Sequence, residues 1–297
     1  MGQEWCCCAL LTSCVFIRGA EIFIFELGFT IQAFPAQIIM KELTYVGVIP
    51  ARYASTRLPG KPLEKIGDRS IIRHVYERAK KYLDRVIVAT DDSRIVDEVA
   101  SWKGEVTLTS PAHKSGTDRI AEACNLMGVS EDVVINIQGD EPFFPPAILA
   151  ALKSCFQDSS VNIATPITPI NSIVDAANPN LVKVVCRKNG DALYFSRCAI
   201  PFVRDNTAIT SIPYFSHIGL YAFRRETLAQ ITQIPPSQLE VSECLEQLRW
   251  LENGFQIRTV VIAEKLEENA PKGIDTPEDL LRARAYWERL KKTNPDD

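Results

Sequence analysis

The sequence contains no G-x-x-x-x-G-K-[ST] run and no G-x-G-x-x-G run. Without these glycine-rich phosphate loops, the P-loop kinase and dinucleotide-dehydrogenase readings lose their main support. Histidine is scarce, at 3 residues, and no C-x-x-C pair stands outside the crowded Cys6-Cys7-Cys8, so a structural zinc site lacks ligands. A basic excess is also missing. The net charge is -4 and the pI is near 5.6, which argues against a nucleic-acid binder with its basic footprint. No internal repeat or low-complexity tract is visible, and no apolar stretch runs uncharged for the ~18 residues a membrane-spanning helix needs.

A well-fed core is present: 46% of the 297 residues are hydrophobic and 24% charged, enough for one large α/β domain or one domain with an appended lobe. The 9 cysteines include Cys124, Cys155, Cys186, Cys198 and Cys244, scattered singly among apolar or helical segments. That scatter fits free thiols in a reducing cytoplasm better than a disulfide framework.

The stretch VIPARYASTRLPGK, Val48 to Lys61, is the most informative part of the chain. Tyr45 to Ile49 reads as a short buried strand ended by Pro50. The loop after it carries Arg52 and Arg57, whose planar forks match phosphate oxygens, the hydroxyls of Ser55 and Thr56, a Pro59-Gly60 turn and the point charge of Lys61. A basic loop is often only a solvated surface. This one follows a buried strand, where function in parallel sheets gathers, and reads as a polyphosphate cradle.

From there strand and helix alternate. Helices are expected at about 70–82, 93–102 and 117–127, with strands at 86–89, 106–109 and 133–137. That series predicts a mostly parallel, Rossmann-like sheet with helices on both faces. The second half is less regular: strands near 163–166, 182–186, 192–195 and 217–223 extend the sheet in mixed fashion, and helices follow at about 240–253 and 277–291. Thr276-Pro277-Glu278-Asp279 is a good helix start, with a cap hydroxyl, proline at the first position and acids in the first turn. Asp140 follows the apolar strand through Gln138 and Gly139, which puts a carboxylate at a strand end. It suits a magnesium ligand, which takes one or two protein carboxylates with substrate phosphates. It equally suits a turn aspartate.

The loop PARYASTRLPGK closely resembles the signature of the cytidylyltransferases that activate 3-deoxy-manno-octulosonate (Kdo), the acidic sugar of lipopolysaccharide. Further blocks match in order: IVATDD (87–92), SGTDR (115–119), NIQGDEP (136–142), NPNLVKVV (178–185), ALYFSR (192–197), HIGLYAFR (217–224), LEQLR (245–249) and GIDTPEDL (273–280). The resemblance covers about 45–284 and implies a nucleotide-diphospho-sugar transferase fold. It also implies transfer of CMP from CTP to Kdo with release of pyrophosphate, a homodimer formed by the second half, and a cytoplasmic enzyme without stable membrane insertion. The magnesium ion it implies falls on Asp140 and Asp275; Glu141 is a weaker alternative, and an acid before a helix start such as Asp275 is often merely structural. The resemblance assigns Arg57 and Lys61 to the β and γ phosphates with Arg52 and Ser55 nearby. Thr90, Asp91, Ser115 and Gly116 go to the cytosine and ribose edge.

For the sugar carboxylate the resemblance implies a cationic partner, Arg119 or Arg197, by bidentate pairing. Gln138, Tyr194, Ser196, His217, Tyr221, Glu240, Glu243 and Gln247 are candidates for the sugar hydroxyls, with ordinary packing or helix-surface roles still open for Tyr194, Tyr221 and Gln247. His217 is a candidate general base or an orienting group for the sugar. The run PSQLEVSECLEQLR departs from the more usual LEHIE-type pattern, with Val241 in place of a polar residue. Two alternatives remain, a cytidylyltransferase for another acidic sugar such as a sialic acid and a catalytically dead nucleotide-binding regulator. A sugar 1-phosphate enzyme would carry a G-x-G-T-R loop, which is absent.

Residues 1–39 are expected to be an extension outside the native enzyme, with translation starting at Met40 and a cytidylyltransferase domain at 40–297. Its CTP-binding half spans about 40–145, and its sugar-binding and dimerisation half about 146–297. A secretory signal would want a basic start, which is missing, although Leu11-Thr12-Ser13-Cys14 superficially fits a lipoprotein cleavage box. Met1-Gly2 invites myristoylation, but Cys6 stands where Ser or Thr is wanted.

Overall fold

The computed structural model describes residues 6–10, 13–18, 21–26, 32–35, 42–204, 214–262, 271 and 273–293. Residues 1–42 and 43–297 are separate units. In the first, strands Cys6–Leu10, Ser13–Arg18, Glu21–Glu26 and Gln32–Pro35 pair antiparallel in sequential order. Met40, the expected start, lies outside the described residues.

The second unit is organised by β1 (Tyr45–Ala51), in which Val46, Val48 and Ile49 are wholly buried. A strand apolar on both faces needs cover on both, the signature of a parallel sheet. On one side β1 pairs parallel with β2 (Arg85–Thr90), which pairs parallel with β3 (Glu105–Leu108); on the other it pairs parallel with β4 (Val133–Asn136). The strand order 3-2-1-4 is that of a Rossmann-like half, with the strand ends converging beside β1.

The period of two along β1 divides the core. Ile49 packs with α1 (Ile71–Lys80), α2 (Ser93–Ser101) and part of α4 (Ala147–Cys155). Val46 and Val48 face the opposite cluster, with α3 (Gly116–Leu126), α6 (Arg225–Ile231) and α8 (Gln247–Glu252). Ser70, Asp92 and Ser115 each accept a backbone N–H in the first turn of α1, α2 and α3, so the expected helices begin on side-chain caps.

Beyond β4 the sheet becomes mixed, as expected. Strands β5 (Ile163–Ile170), β6 (Lys183–Cys186), β7 (Ala192–Ser196), β8 (Tyr214–His217), β9 (Tyr221–Arg224) and β10 (Ile257–Val261) join it. Strand β9 lies antiparallel to β4 and links the halves, while β10 runs parallel to β5. A short helix, α5 (Ile173–Ala177), follows β5.

Two expected elements are each divided in the structure. The strand expected near 217–223 is β8 and β9, separated at Ile218–Leu220. The helix expected at 240–253 is α7 (Gln238–Glu243) followed by α8, because Cys244 turns left-handed at φ 52° and ends the first one. Helix α9 (Pro277–Thr293) begins where the Thr-Pro signal predicts. Thr276 and Asp279 cap it reciprocally: Asp279 N–H donates to Thr276 Oγ1 at 3.2 Å and Thr276 N–H donates to Asp279 Oδ2 at 2.9 Å. These donors and Arg282 outweigh burial at Asp279 and hold its carboxyl down at about 2. A satellite core of Leu58, Ile66, Ile71, Phe143, Ile274, Leu280, Ala283 and Tyr286 packs α9 against the segment after β1.

Candidate active site

The cationic loop and the first acid meet at the end of the parallel strands. Arg52, Ser55, Thr56, Arg57 and Lys61 line a pocket with Gln138, Gly139 and Asp140, enclosing ≈ 290 Å³. Gly60, at φ 70°, supplies the reversal that brings Lys61 back to the sheet; its N–H donates to Tyr53 O at 3.0 Å. Gly139 is there for space, since a Cβ would meet Pro50 O at 2.8 Å. A smaller hollow of ≈ 120 Å³ between α1 and α9 includes Arg78, Phe143 and Trp287 and shares no lining residue with this pocket.

Four charged groups close on one another here. Lys61 Nζ donates to Asp140 Oδ2 at 2.7 Å and to Asp275 Oδ1 at 3.0 Å, while Arg57 Nη2 lies 2.9 Å from Asp275 Oδ2. Burial works to lower the Lys61 pKa, but Asp140 and Asp275 overcome it, and the ammonium is held above its ordinary range. The loop holding Asp275 is fastened to the strand end because Ile274 N–H donates to Asp140 O at 2.9 Å. Both carboxylates therefore present oxygen to one cationic point. That donor set fits magnesium, a hard ion that accepts one or two protein carboxylates and fills its remaining positions from phosphates and water. No cluster of three or more potential metal-ligating residues exists among the described residues.

The remaining nucleotide-side residues surround the same edge. Arg52 Nη2 donates to His113 O at 2.8 Å. Thr90 is buried, its carbonyl accepting from both Thr109 N–H and Thr109 Oγ1. Ser115 caps α3, and a Cβ on Gly116 would reach Pro50 Cγ at 3.5 Å, so the start of α3 lies beside the end of β1. Asp91 accepts from Arg119 Nη2 at 2.6 Å, and Arg119 Nη1 donates to Thr109 Oγ1 at 2.7 Å.

The Arg119 contact corrects an expectation. Its guanidinium is fully buried and both terminal nitrogens are engaged, so the bidentate fork anticipated for a sugar carboxylate is not on offer. Arg119 positions Asp91. Glu240 is likewise committed elsewhere: its two oxygens take Arg249 Nε at 2.8 Å and Nη2 at 2.7 Å, and it closes the α7 capping box with Ser237. Its task is to pin α7 to α8.

The other expected sugar residues gather where β7, β8 and β9 approach α7 and α8. Ser196 Oγ and Arg197 N–H both donate to Glu243, and the Arg197 guanidinium donates to the carbonyls of Glu243, Pro179 and Cys244. Tyr194 is raised by burial and then by Glu243. Gln138 Nε2 donates to Gly219 O at 2.7 Å. His217 Nε2 lies 2.9 Å from Thr165 Oγ1, whose hydroxyl donates to Leu220 O at 2.7 Å. That network assigns the proton to Nε2. Burial pushes the His217 imidazole down to about 3, so it is neutral and a poor base near pH 7.

Two residues not anticipated from sequence stand in this region. Glu246 accepts from Thr117 Oγ1 at 2.7 Å and its carboxyl is raised by burial. Asn136 pairs directly with Tyr221 across β4 and β9. Asn136 Oδ1, Tyr221 OH and Gln247 Nε2 are buried without hydrogen-bond partners. Trp250 Nε1, against Tyr221, is unpaired as well, so this region has spare polar capacity. The signal for Glu246 is its place between Leu245 and Leu248, both buried: an acid interrupting an apolar stripe.

A cation-lined pocket at the carboxyl ends of parallel strands, faced by two converging acids, defines the class as a nucleotidyltransferase of the α/β type. A model of the Cytidylyltransferase family matches residues 46–265. The 3-deoxy-manno-octulosonate cytidylyltransferase of Parabacteroides distasonis is 47% identical over 251 residues, 82% of this chain and 98% of its own length. That of Bacteroides thetaiotaomicron is 48% identical over 250 residues, with the same coverage of both chains. A solved CMP:2-keto-3-deoxy-manno-octonic acid synthetase complexed with CTP superposes at a TM-score of 0.76 with 41% identity, covering 83% of this chain and 99% of the other. The chain belongs to the 3-deoxy-manno-octulosonate cytidylyltransferase family.

Proposed function

We propose that the protein transfers CMP from CTP to Kdo, giving CMP-Kdo and pyrophosphate for lipopolysaccharide biosynthesis. The observation that carries this reading is the convergence of Arg57, Lys61, Asp140 and Asp275 at one strand edge. It is supported by near-end-to-end relatives bearing that activity in their names.

The anomeric hydroxyl oxygen of Kdo attacks the α-phosphorus of CTP in line. The new O–P bond forms as the bond to the bridging oxygen breaks; pyrophosphate leaves with that electron pair, and the hydroxyl proton passes to solvent. Asp140 and Asp275 would hold magnesium, whose Lewis acidity would make the hydroxyl more acidic and offset phosphate charge. Arg57 and Lys61 hold the β and γ phosphates and stabilise charge on the leaving pyrophosphate, with Arg52 and Ser55 beside them. Main-chain groups near Thr90 and Asp91 and the start of α3 at Ser115 and Gly116 receive the cytidine. Arg197, which unlike Arg119 is partly exposed and keeps a second N–H on each terminal nitrogen, receives the sugar carboxylate, and Gln138, Tyr194, Ser196, Tyr221, Glu243, Glu246 and Gln247 receive the hydroxyls. His217, neutral and fixed by Thr165, orients the sugar and takes no proton.

The test is pyrophosphate release with CTP and magnesium, offering Kdo, a sialic acid or no acceptor in parallel. Release only with Kdo is expected. Release with sialic acid alone, or independent of acceptor, overturns the reading, and so does no release with any acceptor while CTP still binds, which is the outcome for a nucleotide-binding regulator.

No described helix is long and apolar enough to cross a membrane. The thiols of Cys124, Cys155, Cys186, Cys198 and Cys244 are free. The free thiols support a cytoplasmic setting. The second half is also read as forming a homodimer, as the resemblance implies; Ile173 and Val174, adjacent in sequence, are apolar and exposed there.

A further inference from the structure

The two carboxylates that would ligate the metal are both held by Lys61, each through one oxygen. Its Nζ lies 2.7 Å from Asp140 Oδ2 and 3.0 Å from Asp275 Oδ1, with the side chain only 15% exposed. Arg57 neutralises the remaining Asp275 oxygen at 2.9 Å. Two cations thus balance two carboxylates. Magnesium sits ~2.1 Å from its oxygen ligands. An ammonium 2.7 Å and 3.0 Å from those oxygens occupies the same space and carries the same sign of charge. Through those two oxygens both cannot bind the pair together. The lysine stem is flexible, and its point charge suits a phosphate as well as a carboxylate.

We infer that Lys61 is the resident counter-ion of the Asp140–Asp275 pair, and that the CTP phosphates draw it away as the metal takes its place. The exchange couples the two ligands through one side chain. Metal alone must displace Lys61 into water, and CTP alone must take Lys61 from two carboxylates. Together each provides the other's partner, so the two bind with positive and reciprocal coupling. This inference rests on the reading of Asp140 and Asp275 as metal ligands, and it makes Lys61 a coupling residue as well as a phosphate ligand.

The experiment measures Mn2+ binding to nucleotide-free protein by electron paramagnetic resonance, for wild type, Lys61→Met, Asp140→Asn and the double variant, each checked for fold by circular dichroism. Lys61→Met is expected to bind Mn2+ ~10-fold more tightly than wild type, within the usual range of coupling factors. The double variant is expected to lose that gain. A second measurement uses CTP in excess EDTA: Asp140→Asn is expected to bind it several-fold more tightly than wild type, since Lys61 is then partly released. This second arm holds even if Lys61→Met fails to fold. Unchanged or weaker Mn2+ binding by Lys61→Met, or unchanged CTP binding by Asp140→Asn, overturns the exchange while leaving the ligand assignment standing. Mn2+ binding by the double variant as tight as by Lys61→Met removes Asp140 from the metal site, and the exchange falls with it.

Discussion

Ile274 N–H donates to Asp140 O at 2.9 Å. Through that one main-chain bond, the spacing between the acid that ends the β4 segment and the acid that precedes α9 is set by backbone rather than by side-chain rotamers. The satellite core containing Ile274, Leu280 and Tyr286 keeps the bond in place.

Asp140→Ala and Asp275→Ala are each expected to lower turnover by at least ~10²-fold, the scale of a lost charge-stabilising contact at a reacting phosphate. Circular dichroism should be unchanged, because both groups stand at the pocket rather than in the core. Activity near wild type would remove that residue from the site.

Arg57→Met is expected to reduce kcat by ~10²-fold, with little change in the apparent affinity for Kdo. Steady-state kinetics with each substrate varied in turn checks this. A rise in KM for Kdo alone would put Arg57 on the acceptor side.

Glu246→Gln is expected to raise KM for Kdo by ~10-fold or more, since a hydrogen bond to a charged group contributes ~1.5–3 kcal/mol. The KM for CTP should stay within about twofold of wild type. A shift in the CTP constant instead would mean that Glu246 acts through Thr117 and Ser115 at the start of α3.

Asp91→Asn should destabilise the fold more than Arg119→Met. Arg119 is wholly buried and Asp91 is not, so removing the acid strands a charge, at a typical cost of ~3–5 kcal/mol. Removing the guanidinium leaves a carboxylate that water can reach. Urea unfolding midpoints compare the two, and the reverse order would contradict the pairing.

The pH dependence of stability carries a sign that His217 fixes. Its folded pKa is about 3, against 6.5 for an ordinary imidazole. Below about pH 6.5 the unfolded chain binds a proton that the folded chain refuses. Its contribution is therefore complete above that pH and is lost as pH falls toward 3. His74, lowered by burial, works in the same direction. His217→Gln is expected to flatten, without abolishing, the fall in unfolding free energy as pH drops from about 6.5 to 5. An unchanged slope would show that His217 protonates freely in the folded state.

The loop to Lys61, Asp140 and the parallel order of the first half were legible because each is local. An apolar strand, a turn and a charged residue follow one another in sequence, and strand–helix alternation constrains the rest. What escaped depended on distant partners. Arg119 looked like a free cation because nothing beside it in sequence reveals that Asp91 and Thr109 lie over its guanidinium. The break at Cys244 is a backbone event at a residue type with no strong preference for it. Strand β10 was missed because Arg258 and Thr259 dilute its apolar pattern, and its pairing with β5 spans most of the second half. Glu246 was hidden inside an apolar helix stripe, where only the third dimension shows which way it faces.

The β4–β9 ladder, where Asn136 lies opposite Tyr221, has a consequence for how such enzymes diversify. On the reading proposed above, the loop after β1 and the start of α3 serve the nucleotide, Asp275 reaches back to it from beyond the seam, and most acceptor groups come from elements after the seam. On that reading, grafting the later segment from a related enzyme onto this first half is expected to exchange the sugar while keeping the nucleotide, provided Asp275 and the four backbone pairings from Val133–Arg224 to Asn136–Tyr221 are preserved. One antiparallel ladder then serves as the natural joint for recombination.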